Sequence, residues 1–80
     1  MMPRVEVRLF GHLRSYMPVP EAPSATVFVP EGGTLGDLLE QMDVPPEDPK
    51  ILLVNGVHAG RDRRLAEGDR VSVFPPIAGG

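Results

Sequence analysis

A chain of 80 residues, 41% hydrophobic and 24% charged with no cysteine, reads as one small domain held by a thin hydrophobic core alone. The missing cysteine excludes a disulfide scaffold, a zinc ribbon, an iron–sulfur cluster and a catalytic thiol of its own, and a net charge of -3 supplies no basic field for nucleic acid. So small a domain has little room for a deep enclosed pocket, and binding, carrying or presenting something is the expected kind of role.

Val5, Val7 and Leu9 alternate with Glu6, Arg8 and Phe10, the period-2 pattern of a first strand with one apolar face. Residues 11–23 carry three prolines and a glycine and read as a loop, with a helical turn around Leu13 to Met17. Thr26 to Val29 is a second strand, antiparallel to the first and closed by Pro30. Glu31-Gly32-Gly33 is a turn, and Thr34 opens a helix. Its hydroxyl is placed to cap the first turn, and Asp37 stands three residues on, as in a capping box. Leu35, Leu38, Leu39 and Met42 form one apolar stripe. The helix is predicted over 34–43 and stops by Val44, because Pro45-Pro46 cannot continue it.

Ile51 to Val54 is a third, largely apolar strand, and Asn55-Gly56 is a tight hairpin turn leading to a short strand over Val57 to Ala59. Leu65 is a lone apolar residue expected in the core. Ala66 to Asp69 is a turn, and Arg70 to Phe74 is the last strand, with Val71 and Val73 on one face and Ser72 and Phe74 on the other. The order strand, strand, helix, strand, short strand, strand predicts an α+β fold with one helix crossing one face of a sheet.

Pro75-Pro76 cannot donate ladder hydrogen bonds and reads as a semi-rigid spacer, so a head over 1–74 and a tail over 75–80 are expected. Fully extended, the residues from Phe74 to Gly80 reach roughly 20 Å. A carboxylate at Gly80 is ionised near neutral pH and unreactive until activated, for instance by adenylation. Gly79 and Gly80 allow close backbone approach and suit a narrow channel. A frayed end is the plain alternative for the dipeptide taken by itself.

Phe10, Phe28 and Phe74 fall on the strand faces opposite the valines. Phe74 is read either as a docking residue for a partner or as half of a cross-strand aromatic pair, and pairing is preferred for Phe10 and Phe28. Ile77 is expected to meet a partner groove. His12 and His58 lack a ligand set and are read as surface residues with no metal site. Glu31 to Gly36 lacks the lysine and spacing of a phosphate loop and is read as a turn and cap. Arg61, Arg63 and Arg64 are read as a solvated turn. Asp37, Glu40, Glu67 and Asp69 suggest no acid–base pair and are read as charges complementary to a basic partner. No stretch approaches the ~20 apolar residues of a membrane span. Met1-Met2-Pro3-Arg4 lacks the apolar run of a signal peptide, so a cytoplasmic location with no membrane partner is expected.

Together these segments resemble a known family. The first strand with Leu9-Phe10 and Leu13-Arg14, Gly33-Thr34-Leu35-Gly36-Asp37-Leu38-Leu39 at the helix start, Val54-Asn55-Gly56 at the hairpin, and the run from Leu65 to Gly80 resemble the ubiquitin-like β-grasp sulfur carriers of the MoaD and ThiS types. Phe74-Pro75-Pro76 looks closer to MoaD, the small subunit of molybdopterin synthase, and Ile77-Ala78-Gly79-Gly80 also resembles ThiS endings.

The resemblance implies a mixed sheet of four to five strands with one main helix on one face. It implies a Gly80 carboxylate that a ubiquitin-activating-type adenylyltransferase converts, using ATP, to an acyl-adenylate and then to a thiocarboxylate, beside Gly79. It implies partner contacts at Phe74, Pro75, Pro76, Ile77 and Ala78, a larger MoaE-like synthase subunit as acceptor, and no tightly bound cofactor. The chain would be a protein cosubstrate rather than a stand-alone enzyme. Molybdopterin synthesis is the first destination for the sulfur. A ThiS-like role in thiamin synthesis, a ubiquitin-like modifier passed to lysines, and a β-grasp interaction module with an incidental tail are the alternatives.

Overall fold

The structure, a computed structural model, describes residues 2–76. Strands β1 (Arg4–Leu9), β2 (Ala25–Phe28), β3 (Ile51–Val54), β4 (Val57–His58) and β5 (Arg70–Phe74) form one five-stranded sheet in the order β2-β1-β5-β3-β4. The first and last strands lie side by side and parallel at its centre, and the other pairs are antiparallel. A 3-10 helix (Gly11–Tyr16) follows β1, and α1 (Leu35–Gln41), the one α-helix among the described residues, covers one face of the sheet. This is the ubiquitin-like β-grasp architecture.

The alternation read in the sequence is the alternation of burial. Val5, Val7 and Leu9 of β1 and Val71 and Val73 of β5 are buried under α1, whose Leu35, Leu38 and Leu39 are wholly buried in turn. Leu13, Met17, Val44 and Leu65 close the same core. The strand β3 and the strand β5 have the predicted bounds. Strand β2 begins and ends one residue earlier than predicted; the Val29 N–H still donates to the Pro3 carbonyl at 3.0 Å in the same register, but Pro3 has no N–H to continue the ladder. The Asn55-Gly56 turn has both central residues at positive φ, 54° and 81°, as a two-residue hairpin requires, and β4 is one residue shorter than predicted.

The helix start follows the sequence signals. The Asp37 N–H donates to the Thr34 hydroxyl at 3.2 Å, and the Thr34 N–H donates to the Asp37 carboxylate at 3.0 Å. The remaining first-turn donors find distant partners: Leu35 N–H donates to the Arg63 carbonyl and Gly36 N–H to the Arg61 carbonyl, both at 2.8 Å.

The helix end does not follow them. The ordered turns stop at Gln41, well before Pro45, because Asp43 adopts a left-handed conformation at φ 64°. Asp43 N–H donates to the Glu40 carbonyl and Val44 N–H to the Leu39 carbonyl, the two bonds of a Schellman close, with buried Val44 beside buried Leu39. Glycine is the usual residue at this position, and an L-residue there carries roughly 1–2 kcal/mol of strain. Asp43→Gly is therefore expected to stabilise the domain by about 0.5–1 kcal/mol after glycine's own entropic cost. The check is a rise of the thermal midpoint by a few degrees, and a fall would contradict the strain.

Among the described residues, no helix is long and apolar enough to cross a membrane.

Candidate functional site

The candidate site is the point where the chain leaves the sheet. Strand β5 is flanked by β1 and β3, so its end is held from both sides. The Phe10 N–H donates to the Val73 carbonyl at 3.0 Å, and the Lys50 N–H donates to the Phe74 carbonyl at 2.8 Å. The parallel register pairs Leu9 with Val73, which brings Phe10 beside Phe74. Their rings stack with centroids 4.3 Å apart and planes 8° from parallel. Phe74 is thus half of an aromatic pair, and it is only half-buried.

Phe28 corrects the sequence reading. It sits opposite Arg4 on the β2 edge, is 53% exposed, and has no ring partner among the described residues, because the neighbour its register supplies is an arginine.

The stack gives a stability prediction. Phe10→Ala and Phe74→Ala should each destabilise the domain. A double-mutant cycle should return a coupling of about 0.5–1.5 kcal/mol for the pair. Strict additivity in chemical unfolding would show that the rings do not support each other.

The face of the sheet away from α1 carries this pair. The registers align Phe10 and Phe74 with Ile51, and Arg8 and Ser72 with Leu53 and His58. Ile51, Leu53, Phe10 and Phe74 are half-buried and lie on the face that α1 does not cover. Away from the strand end, a shallow hollow is lined by Arg8, Asn55, Gly56, Arg70 and Ser72. An apolar patch therefore adjoins the chain exit, and an arginine-bearing patch lies further along the same strands.

Pro75 and Pro76 differ. Pro75 is half-buried against Gly11, and Pro76 is exposed. The sequence reading places both prolines in the spacer; Pro75 instead rests on the head. Ile77, Ala78, Gly79 and Gly80 lie outside the described residues.

Other candidate residues resolve into structure. Asp37 belongs to the helix cap. Glu67 accepts from the Arg4 N–H at 2.8 Å and pairs with the Arg4 guanidinium at 3.1 Å. Asp69 is buried. It accepts from Asn55 Nδ2 at 3.0 Å and from Ala66 N–H at 2.8 Å, and it lies 3.7 Å from Arg63. Three of the four carboxylates read as charges for a partner are thus engaged within the fold, and only Glu40 keeps that reading.

The arginine cluster is likewise more than a solvated turn. Arg61 donates to the Pro46 carbonyl at 2.8 Å, and the Arg61 and Arg63 carbonyls complete the helix start. With those first-turn N–H groups satisfied, the glycine-rich segment before α1 is a turn and cap. His12 Nε2 lies 3.6 Å from Asp48, and His58 is exposed. Among the described residues no cluster of three or more His, Cys, Asp or Glu is placed to hold a metal.

Sequence reasoning missed two features. One is the Gly11–Pro75 contact. The other is Arg14, whose guanidinium donates to the Pro20 and Ala22 carbonyls at 2.5 and 2.8 Å and ties down the proline-rich loop.

A family model described as the ThiS family matches residues 7–80. The fold is shared with a Pyrococcus furiosus protein assigned as molybdopterin converting factor subunit 1, at 27% identity and a TM-score of 0.72, covering 94% of this chain and 99% of that one. It is shared with small archaeal modifier protein 1 of H. volcanii, at 25% identity and a TM-score of 0.76, covering 94% and 99%. Subunit 1 or 2 of a molybdopterin-converting factor complex from Helicobacter pylori matches at 20% identity and a TM-score of 0.60, covering 96% and 99%, and that likeness is one of fold.

Proposed function

We propose a function that proceeds from one premise: the chain belongs to the ThiS family, whose MoaD- and ThiS-type members are ubiquitin-like sulfur carriers or modifiers. Its working group is the Gly80 carboxylate. An adenylate-forming partner brings that carboxylate to the α-phosphorus of ATP. A C–O–P link forms, pyrophosphate leaves, and the carbonyl becomes open to attack. A persulfide sulfur then attacks the carbonyl carbon and AMP departs. A second thiol cleaves the S–S bond, leaving a thiocarboxylate on Gly80 and a disulfide on the donor. The chain contains no cysteine, so persulfide and reducing thiol both belong to partners, and no internal thiol competes for the activated acyl group.

The sulfur's destination is proposed as the dithiolene of molybdopterin. The observation that carries this choice is the 27% identity, across nearly the full length of both chains, to a molybdopterin converting factor subunit 1. The H. pylori neighbour, solved with subunits 1 and 2 together, supports a synthase subunit as acceptor. The half-buried apolar patch of Phe10, Ile51, Leu53 and Phe74, continued by Pro75, Pro76, Ile77 and Ala78, is the surface proposed to meet the activating enzyme and the acceptor in turn. A second reading, conjugation of Gly80 to lysines, is favoured by the likeness to a small archaeal modifier protein.

The test is to load the chain with sulfur, mix it with the host's molybdopterin synthase large subunit and the sulfur-free pterin precursor, and assay for the dithiolene product. Product formed in proportion to thiocarboxylate supports the assignment. No product, with lysine adducts forming when ATP and host extract are supplied, would favour the modifier.

A further inference from the structure

Gly11 is the first residue of the 3-10 helix that follows β1, at φ +60°. A Cβ built on it would fall 2.7 Å from Pro75 Cγ and 3.4 Å from Pro75 Cδ. Those atoms are not the loose end of a side chain. The pyrrolidine ring is closed onto its own backbone nitrogen, so beyond a small change of ring pucker it yields only if the chain moves.

Both sides of the contact are pinned. On one side Phe74 is bonded to Lys50 and stacked on Phe10, directly before Pro75. On the other, the Leu13 N–H donates to the Phe10 carbonyl at 3.1 Å, and Leu13 is wholly buried. A side chain at position 11 is therefore accommodated by swinging Pro75 off its seat.

We propose that Gly11 is a positioning residue: its missing side chain forms the seat of Pro75, and the seat sets the direction in which the chain leaves the head. The functional consequence rests on the proposed use of Gly80 by an activating partner. Direction matters because of leverage. A rotation of about 10° at Pro75 displaces a point about 17 Å out along the exit line by about 3 Å. That is the whole reach of a near-attack geometry, roughly 3–3.5 Å between reacting atoms.

The test uses Gly11→Asn, because Asn tolerates positive φ and adds the Cβ without forcing the backbone. Pro75→Ala removes the ring atoms that this Cβ would meet. Both substitutions and their combination are compared with the parent chain. Since the chain has no native cysteine, Gly80→Cys in each background accepts a single nitroxide label, whose broadening of head amides maps where the tail points.

With Pro75 present, Gly11→Asn is expected to redistribute the broadening. In the chains that keep Gly80, it is expected to lower kcat for adenylate formation about tenfold, with a smaller change in KM, because the patch of Phe10, Ile51, Leu53 and Phe74 still docks. In the Pro75→Ala background, Gly11→Asn should change neither. Unchanged maps and kcat with Pro75 present, or equal effects in both backgrounds, would overturn the seat. If the parent chain is not adenylated at all, the proposed function fails, while the label maps still decide whether Gly11 aims the tail.

Discussion

Removal of Gly80 alone is expected to abolish ATP–pyrophosphate exchange with the activating enzyme, by at least about 100-fold, with no change in thermal stability. The shortened chain still ends in a glycine carboxylate, at Gly79, with the same intrinsic acidity and the same freedom of backbone approach. What it loses is reach. One residue of extended chain is roughly 3.3–3.6 Å, as long as the gap that separates an attacking oxygen from its target in a productive complex. The head does not change, since β5 is anchored through Phe74 by β1 and β3. Exchange at the parental rate would mean that the activated group lies elsewhere, and the carrier reading would fall.

The largest effect on stability is expected from Leu38→Ala. Helix α1 spans only Leu35–Gln41. A helix so short does not form by itself in water, so its existence depends on the face it buries. Leu38 is wholly buried between Leu35 and Leu39 against the sheet valines. Truncating it removes transfer energy and opens a cavity, at a cost of roughly 3 kcal/mol. A chain of this length has about 4–12 kcal/mol of stability in total. The thermal midpoint should therefore fall by about 10–20 °C. Glu40→Ala on the exposed side of the same helix should stay within about 0.5 kcal/mol of the parent. A drop of only a degree or two for Leu38→Ala would show that the helix is not what closes the core.

Local pattern made much of this fold legible. Period-2 alternation fixed β5 at Arg70–Phe74, and Thr34 with Asp37 marked the helix start. What the chain concealed is long-range. The stacking of Phe10 on Phe74 requires the parallel β1–β5 register, which joins the two ends of the domain. The Arg61 and Arg63 carbonyls that complete the first helical turn come from a loop some 25 residues downstream. The helix ends at Gln41, two residues before the predicted 43, because Asp43 takes a left-handed conformation held by a Schellman close, which the nearby prolines do not reveal. The candidate site divides in the same way. Gly79 and Gly80 stood out by residue type. The Gly11 seat did not, because a glycine after a strand is ordinary until Pro75 is found resting on it.

The most direct measurement of the central claim is the intact mass of the chain isolated from its native host. Replacement of one carboxylate oxygen by sulfur adds about 16 Da. The account predicts that increment, localised by fragmentation to Gly80 and lost when Gly80 is deleted. An unmodified mass under sulfur-replete conditions, or Gly80 found only in isopeptide linkage to lysines, would contradict it.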